Sequence, residues 1–95
     1  VGLNDKDTKT QKIDTLEAFK IASNTIATFS EGGTIYNATG IYKHENGDIV
    51  IENTLRIELI DVSENALASI ISILKTVLNQ ESIIKQTEVI NSEFC

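Results

Sequence analysis

The stretch Asp48–Ile60, DIVIENTLRIELI, decides the fold. Successive side chains of a strand point to opposite faces of its sheet, so a strand with one buried face alternates apolar and polar residues. The odd positions of this stretch are mainly apolar and the even positions mainly polar, as shown by Ile49, Ile51, Leu55, Ile57 and Leu59 against Glu52, Thr54, Arg56 and Glu58. The alternation predicts a strand whose odd side chains face the core.

A second strand is predicted just before it, over Thr34–His44. Asn46-Gly47 lies between the two segments and is the favoured pair for a two-residue type I′ hairpin turn. If these two residues form the turn, Glu45 lies opposite Asp48, and the pairing continues outward from there. The sequence therefore predicts an antiparallel hairpin in this register.

This register assigns the side chains of the first strand to two faces of the sheet. Tyr36, Ala38 and Tyr42 join the core face, opposite the apolar positions of the second strand. The outer face is then a polar plate with isoleucines at intervals, formed by Asn37, Thr39, Glu52, Thr54, Arg56, Glu58, Ile35 and Ile41.

Two interpretations of the outer face remain open. It is an ordinary solvated face carrying cross-strand pairs, or it is a dimer or ligand surface. A cluster of exposed β-branched residues favours a partner, which makes Ile35, Ile41, Val50 and Thr54 the predicted interface. Arg56 can bind a carboxylate or phosphate in a bidentate manner, and we predict a small anionic or polar ligand held by Arg56, Glu52 and Asn37.

A helix is predicted on either side of the hairpin. The first begins at Asp14, where Glu17 completes a capping-box pattern, and ends before Gly32-Gly33. Its predicted apolar face is Leu16, Phe19, Ala22, Ile26 and Phe29. The second is capped by Ser63 and by Asn79, and its predicted stripe is Leu67, Ile70, Ile71, Leu74 and Leu78.

The order of elements predicts an α+β domain of the ferredoxin-like βαββαβ type, with both helices on one face of an antiparallel sheet. Val1–Leu3 is the end of the first strand and Ser82–Phe94 is the last. Because the first strand is central in that fold, three alternatives stay open: upstream residues were lost, another chain completes the sheet, or the fold is a reduced variant. One domain, 1–95, is expected.

The composition narrows the functional class. The chain has 95 residues and a formal net charge of −6, which disfavours direct binding of nucleic acid. It has no long apolar run, so no membrane span is expected, and a cytoplasmic location is predicted. Because the chain starts at Val1, export stays open. One cysteine, Cys95, allows no internal disulfide, and the lone His44 leaves no metal-ligand cluster.

A polar segment, Asn79-Gln80-Glu81-Ser82, lies where the second helix meets the last strand. It is either a capped helix end with a turn, or a cluster at the sheet edge that contributes Gln80, Glu81 and Ser82 to a ligand site. Glu52 and Glu81 are the carboxylates considered for acid–base chemistry, yet the sequence carries no catalytic signature. No catalytic residue and no cofactor are predicted.

The sequence also resembles an uncharacterised bacterial domain family of unknown function. The matching pattern includes Gly47-x-Ile49-x-x-Glu52 in the hairpin and Gln80-Glu81-Ser82 after the second helix. That family has no established activity, so the resemblance implies only that Glu52, Gln80, Glu81 and Ser82 matter more than their neighbours.

These observations favour a non-enzymatic binding module, a homo-oligomer that sequesters a small ligand or a protein. The heavy use of Ile, Asn and Lys is typical of AT-rich genomes and their phages, so a phage or mobile-element origin is our hypothesis. The alternatives are a small cofactor-free enzyme of the ferredoxin-like dimer type and an acidic inhibitor of a nucleic-acid-binding protein.

Overall fold

The computed structural model describes residues 1–89, 91 and 93 and is an α+β structure. Its elements in chain order are α1 (Thr15–Phe29), β1 (Thr34–Lys43), β2 (Ile49–Glu58) and α2 (Glu64–Val77). β1 and β2 form a two-stranded antiparallel sheet. The predicted order of helix, hairpin and helix is confirmed.

The hairpin register differs from the predicted one by one residue. Ile35 lies opposite Ile57, whereas the prediction placed Tyr36 there. The reason is the length of the loop. The His44 N–H donates to the Asp48 carbonyl at 2.8 Å. The loop closed by this pair therefore has three residues, 45–47, and not two. Gly47 has φ +91°, the left-handed conformation that closes a three-residue hairpin loop.

The side chain of Asn46 stabilises this longer loop. Its Oδ1 accepts the Asp48 N–H at 3.0 Å, and its Nδ2 donates to Asp48 Oδ2 at 3.0 Å. Asparagine commonly bonds its own backbone two residues on, and that bond competes with the two-residue turn. The extra loop residue moves every side chain of β1 to the opposite face from the one predicted, while β2 keeps its predicted faces.

The core lies between the helices and the odd-numbered face of the sheet. Leu55 is fully buried there, and Ile35 and Ile57 are half-buried against it. The prediction that Tyr36 and Tyr42 belong to the core was wrong, because the register places both on the other face, where they are 45% and 43% exposed. The buried apolar residues are Leu3, Ala18, Ala22, Ile26, Leu55, Ile70, Leu74 and Leu78.

Helix α1 buries a narrower face than its sequence predicts. Ala18 and Ala22 are fully buried, whereas Leu16 is 60% exposed and Phe19 is 40% exposed. Small side chains on the inner face let the helix approach its neighbours closely, and the larger apolar residues lie at the margin of the contact. Asp14 makes no side-chain capping bond, so the predicted capping box does not form.

The glycines after α1 do not cap it, since the helix ends in an extended residue, Ser30. Gly33 instead permits close packing. A Cβ atom at this position would lie 2.6 Å from Leu59 Cδ2, well inside contact distance. The nearest backbone atom, the Glu58 carbonyl oxygen, would be 3.1 Å away, so a larger residue here would require the Leu59 side chain to move and the neighbouring backbone to shift slightly.

Helix α2 agrees with its predicted ends and stripe. The Ser63 Oγ accepts the Ala66 N–H at 3.1 Å, and Ile70, Leu74 and Leu78 are buried. Asn79 follows the helix with φ +48°, and the Gln80 N–H donates to the Lys75 carbonyl at 2.9 Å. This is a Schellman motif, in which a left-handed residue ends the helix and its final carbonyls are satisfied.

The two flanking segments behave differently. Val1–Leu3 pairs antiparallel with β2 on the edge opposite β1, through bonds from the Leu3 N–H to the Asn53 carbonyl (2.9 Å) and from the Leu55 N–H to the Val1 carbonyl (2.8 Å). Residues 82–89 form no strand, so the predicted last strand Ser82–Phe94 was wrong over that part. Its residues 90, 92 and 94, like Cys95, lie outside the described residues.

We expect Leu55→Ala to lower the free energy of unfolding by about 2–5 kcal/mol, because it removes a fully buried side chain and leaves a cavity. Ile60→Ala is the matched control: Ile60 follows β2 and is 51% exposed, so its loss should cost less than about 1 kcal/mol. Urea denaturation followed by circular dichroism measures both. Equal losses for the two variants would contradict this core.

Candidate functional site

The hairpin is longer than the helices that cover it. Strands of 10 residues extend about 33 Å at the usual rise for β structure. Helices of 15 and 14 residues are only about 21–22 Å long. About 10 Å of the hairpin therefore has no helix available to cover it, and this excess is at the loop end, away from Leu55.

Three isoleucines lie on the uncovered part, and we call them the isoleucine patch: Ile41, Ile49 and Ile51. Ile41 and Ile51 are directly opposite each other across the sheet, and Ile49 lies opposite Lys43. Their side chains are 70%, 66% and 65% exposed, although they are on the same face as the buried Leu55. Exposed apolar side chains grouped in this way make the patch a candidate interaction surface.

The other face of the hairpin carries the predicted ligand residues of β2. The Arg56 guanidinium lies over the Tyr36 ring, 5.9 Å from its centroid. Glu52 is half-buried, and its Oε2 accepts the Asn4 N–H at 3.0 Å. Both side chains thus have partners within the chain. Thr54 and Val50, predicted to be interface residues, are half-buried on this face.

The predicted site is split by the sheet. Asn37 faces the same side as Leu55, opposite to the side of Glu52 and Arg56, so these three residues do not converge. Ile35, predicted at the interface, is half-buried against the core. The one-residue error in register accounts for both differences. Of the predicted interface residues, Ile41 is the one in the isoleucine patch.

The three predicted ligand residues after α2 do not form one site either, because one is buried and two are exposed. Gln80 is buried, and its Nε2 donates to the carbonyls of Asn4 at 2.9 Å and Leu78 at 3.1 Å. Both hydrogens of the amide are used, which gives Gln80 a structural role. Glu52 and Gln80 meet at Asn4, one on its N–H and the other on its carbonyl. Glu81 and Ser82 are exposed.

A polar clasp, formed by Asp5, Asp7 and Asn79, joins the start of the chain to the end of α2. The Asn79 Nδ2 donates to Asp5 Oδ2 at 2.8 Å and to Asp7 Oδ2 at 2.9 Å. The Lys6 N–H donates to the Asn79 carbonyl at 3.0 Å. These bonds connect residues more than 70 positions apart in the sequence, so the clasp holds the N-terminal segment against the end of α2.

Asp5 is the central acceptor of the clasp and is 8% exposed. Its Oδ1 also accepts the N–H groups of Asp7 at 2.9 Å and Thr8 at 3.0 Å. The Asn79 amide, followed by the Thr8 N–H, lowers the pKa of this carboxyl to about 2. A carboxylate with this many donors is a poor proton acceptor, so we assign it to stability and not to catalysis.

Two cavities of the described residues have linings that do not include the acid–base candidates Glu52 and Glu81. A cavity of about 230 Å³ lies beside the clasp, below the usual 300–1,000 Å³ of small-molecule sites. Its lining residues are Leu3, Asp5, Lys12, Ile13, Val77, Leu78 and Asn79. A second, shallow depression is lined by Phe29, Ala68, Ser69, Ser72 and Ile73, which carry no titratable group.

Tyr42 and His44 are neighbours near the loop end of β1. Their rings meet edge to face with centroids 5.7 Å apart. Partial burial, and then the charge of Glu52, raises the pKa of the Tyr42 hydroxyl. A phenol with a raised pKa stays protonated at neutral pH and acts as a hydrogen-bond donor, so Tyr42 is not a general base.

Comparison with protein-family models, with curated proteins and with solved structures gave no significant match to this chain. Within the part of the chain that the structure describes, no group of three or more His, Cys, Asp or Glu side chains could hold a metal ion. No helix there has the length and apolar character needed to cross a membrane.

Neither the clasp nor the isoleucine patch was predicted from the sequence. The Asp5 side chain accepts the N–H groups two and three residues on, as in an Asx turn. Asp commonly forms such turns, so this local part of the clasp was predictable. Its long-range partner Asn79 was not. The patch was missed for two reasons. The register error assigned Ile41 to the face opposite to Ile51, and Ile49 and Ile51 were expected to be covered by the helices.

We expect Asp5→Asn to lower the melting temperature at pH 7, because it removes the negative charge that the clasp donors stabilise. The folded pKa of Asp5 is about 2, below its unfolded value of about 3.9. The stabilisation is therefore present above pH 4 and is lost as the pH falls towards 2. Thermal unfolding of wild type and variant across this range measures the difference between their melting temperatures, which should become smaller as the pH falls.

The control for this experiment is Glu81→Gln, which alters an exposed carboxylate outside the clasp. Its melting temperature should stay close to that of wild type throughout the pH range. A difference for Asp5→Asn that is constant from pH 7 to pH 2 would rule out the charge as the cause.

Proposed function

We propose that this protein is a non-enzymatic binding module that acts by associating with other protein molecules, and that it is itself a homo-oligomer. The observation that carries the proposal is the isoleucine patch. Ile41, Ile49 and Ile51 are about two-thirds exposed on a part of the hairpin that the helices are too short to cover.

The energetics of the patch indicate what a partner must add. Full burial of an isoleucine side chain is worth about 1.5–3 kcal/mol, so covering the exposed two-thirds of three of them gains about 3–6 kcal/mol, or about 6–12 kcal/mol when both copies of a dimer bury their patches. Association costs about 4–15 kcal/mol in lost translational and rotational freedom. The patch alone therefore leaves little or no surplus for a stable complex, and a partner must also bond to the backbone or pack on neighbouring groups.

Protein association is favoured over the sequestering of a small ligand. The predicted ligand residues Asn37 and Arg56 lie on opposite faces of the sheet, and Arg56 already stacks on Tyr36. The cavity near the clasp is small. An enzyme of the ferredoxin-like type is less favoured for the same reason, since neither described cavity includes Glu52, Tyr42 or His44.

We propose further that the fold is a ferredoxin-like βαββαβ arrangement in which Val1–Leu3 takes the place of the first strand. Its antiparallel bonds to β2, on the edge away from β1, support this assignment. In that arrangement the last strand would lie on the outer edge of Val1–Leu3. Residues 82–89 form no strand, so the described residues contain a reduced variant of the arrangement.

Size-exclusion chromatography with light scattering tests the association. We expect wild type to run at twice the monomer mass or more, and Ile41→Lys to run as a monomer, because a charge would replace an apolar contact. The matched control is Ile60→Lys, since Ile60 is also exposed (51%) but follows β2 at the opposite end of the hairpin. It should keep the mass of wild type.

A monomeric wild type at millimolar concentration would end the homo-oligomer proposal. An oligomer that survives Ile41→Lys and is lost with Ile60→Lys would move the interface away from the isoleucine patch.

A further inference from the structure

The outer edge of β1 has unused backbone hydrogen-bonding groups. Antiparallel strands alternate between hydrogen-bonded and non-hydrogen-bonded pairs. The His44 N–H bonds to Asp48, and counting back from that pair directs the even residues of β1 towards β2. The odd residues, such as Asn37 and Thr39, therefore direct their N–H and C=O groups outward.

The bonds on the far edge of β2 agree with this alternation. Leu55 and Asn53, which lie opposite Asn37 and Thr39, bond to Val1 and Leu3 and not to β1. Among the described residues, none outside β2 shares a backbone hydrogen bond with β1. The outward groups of β1 thus form a regular row with spacing suited to another antiparallel strand.

Natural sheets protect such edges with charges, proline or bulges. β1 has the sequence TIYNATGIYK, in which Lys43 is the one charged residue and proline does not occur. Its pairing with β2 is unbroken from Thr34 to Lys43, so no bulge distorts it. The edge is 10 residues long and, apart from Lys43 at its end, lacks these protections.

We propose that β1 pairs with β1 of a second copy, antiparallel, about a two-fold axis at Ala38. This names the partner in the function proposed above and rests on it. The outward groups belong to odd residues, so odd residues of one copy must lie opposite odd residues of the other. A two-fold axis at Ala38 meets this requirement, and it passes close to the middle of β1. Asn37 then lies opposite Thr39 of the second copy.

Side-chain complementarity supports the same register. The axis at Ala38 places Ile41 opposite Ile35 of the second copy, which joins apolar groups on the helix side of both sheets. Lys43 lies opposite Gly33 of the second copy, two residues from the exposed Glu31. An axis at Thr39 would also satisfy the bonding pattern, but it would place Lys43 opposite Ile35.

Pairing of the two β1 strands would supply both cover for the isoleucine patch and additional hydrogen bonds. A two-fold axis perpendicular to the sheet keeps all four helices on one side of a continuous four-stranded sheet. Because the strands run in opposite directions, the uncovered end of one hairpin lies beside the helix-covered end of the other. Main-chain hydrogen bonds along the edge then add to the burial of isoleucines, which alone leaves little surplus over the cost of association.

Disulfide trapping tests the register. In Cys95→Ser protein, Ala38→Cys places two thiols at the axis as a non-hydrogen-bonded pair, with Cα atoms about 4.5 Å apart. That separation is within the range for a disulfide. We expect most of the protein to become a covalent dimer under mild oxidation. Thr34→Cys is the control, because its two copies would be about 27 Å apart at the usual rise per residue.

A backbone variant tests the edge independently. Thr39→Pro removes one outward N–H and leaves the bonds to β2 intact, so we expect a folded monomer by circular dichroism and light scattering. Thr39→Val keeps that N–H and should stay dimeric.

The outcomes separate the two proposals. If Ile41→Lys dissociates the oligomer but Ala38→Cys does not cross-link, the patch is an interface and the β1 pairing is wrong. Cross-linking of Thr34→Cys as fast as Ala38→Cys would overturn the pairing as non-specific collision. A wild type that is monomeric at every concentration would overturn both.

Discussion

The closure of the hairpin at His44 and Asp48 determines the rest of the structure. A single backbone bond of 2.8 Å there sets a three-residue loop, and the loop sets which side chains of β1 lie towards the helices. Ile35 joins the core, and Tyr36 and Tyr42 leave it. Because side chains alternate with a period of two, no intermediate register exists, and one loop residue decides the composition of both faces.

The parts of the fold that depend on local periodicity were predictable from the sequence. The alternation in β2 and the stripe and caps of α2 need only near neighbours, and the structure agrees with them, down to the left-handed Asn79. The faces of β1 were not predictable in this way. Asn46-Gly47 is compatible with both loop lengths, and the choice between them depends on side-chain bonds of Asn46 that composition does not determine.

The candidate site was less predictable than the fold, because it depends on contacts between distant residues and on the relative lengths of elements. Asp5 and Asn79 are 74 positions apart, and no periodicity links them. Gln80 looked like a surface group in a motif, but its amide is buried between two carbonyls. Ile51 belongs to the correct face of β2, yet it is exposed because the helices end before reaching it.

The excess length of the hairpin is the feature that most favours association. A sequence that only had to fold as a monomer would place polar residues where the helix layer ends, as binary patterning requires. This sequence continues the apolar pattern through Ile51 and Ile49 and adds Ile41 opposite, at a cost in solubility. The same β1 strand leaves its outer backbone groups unpaired among the described residues. Both features are unfavourable in an isolated molecule. A second copy paired along that edge would satisfy the backbone groups and bring its helix-covered end beside the isoleucines.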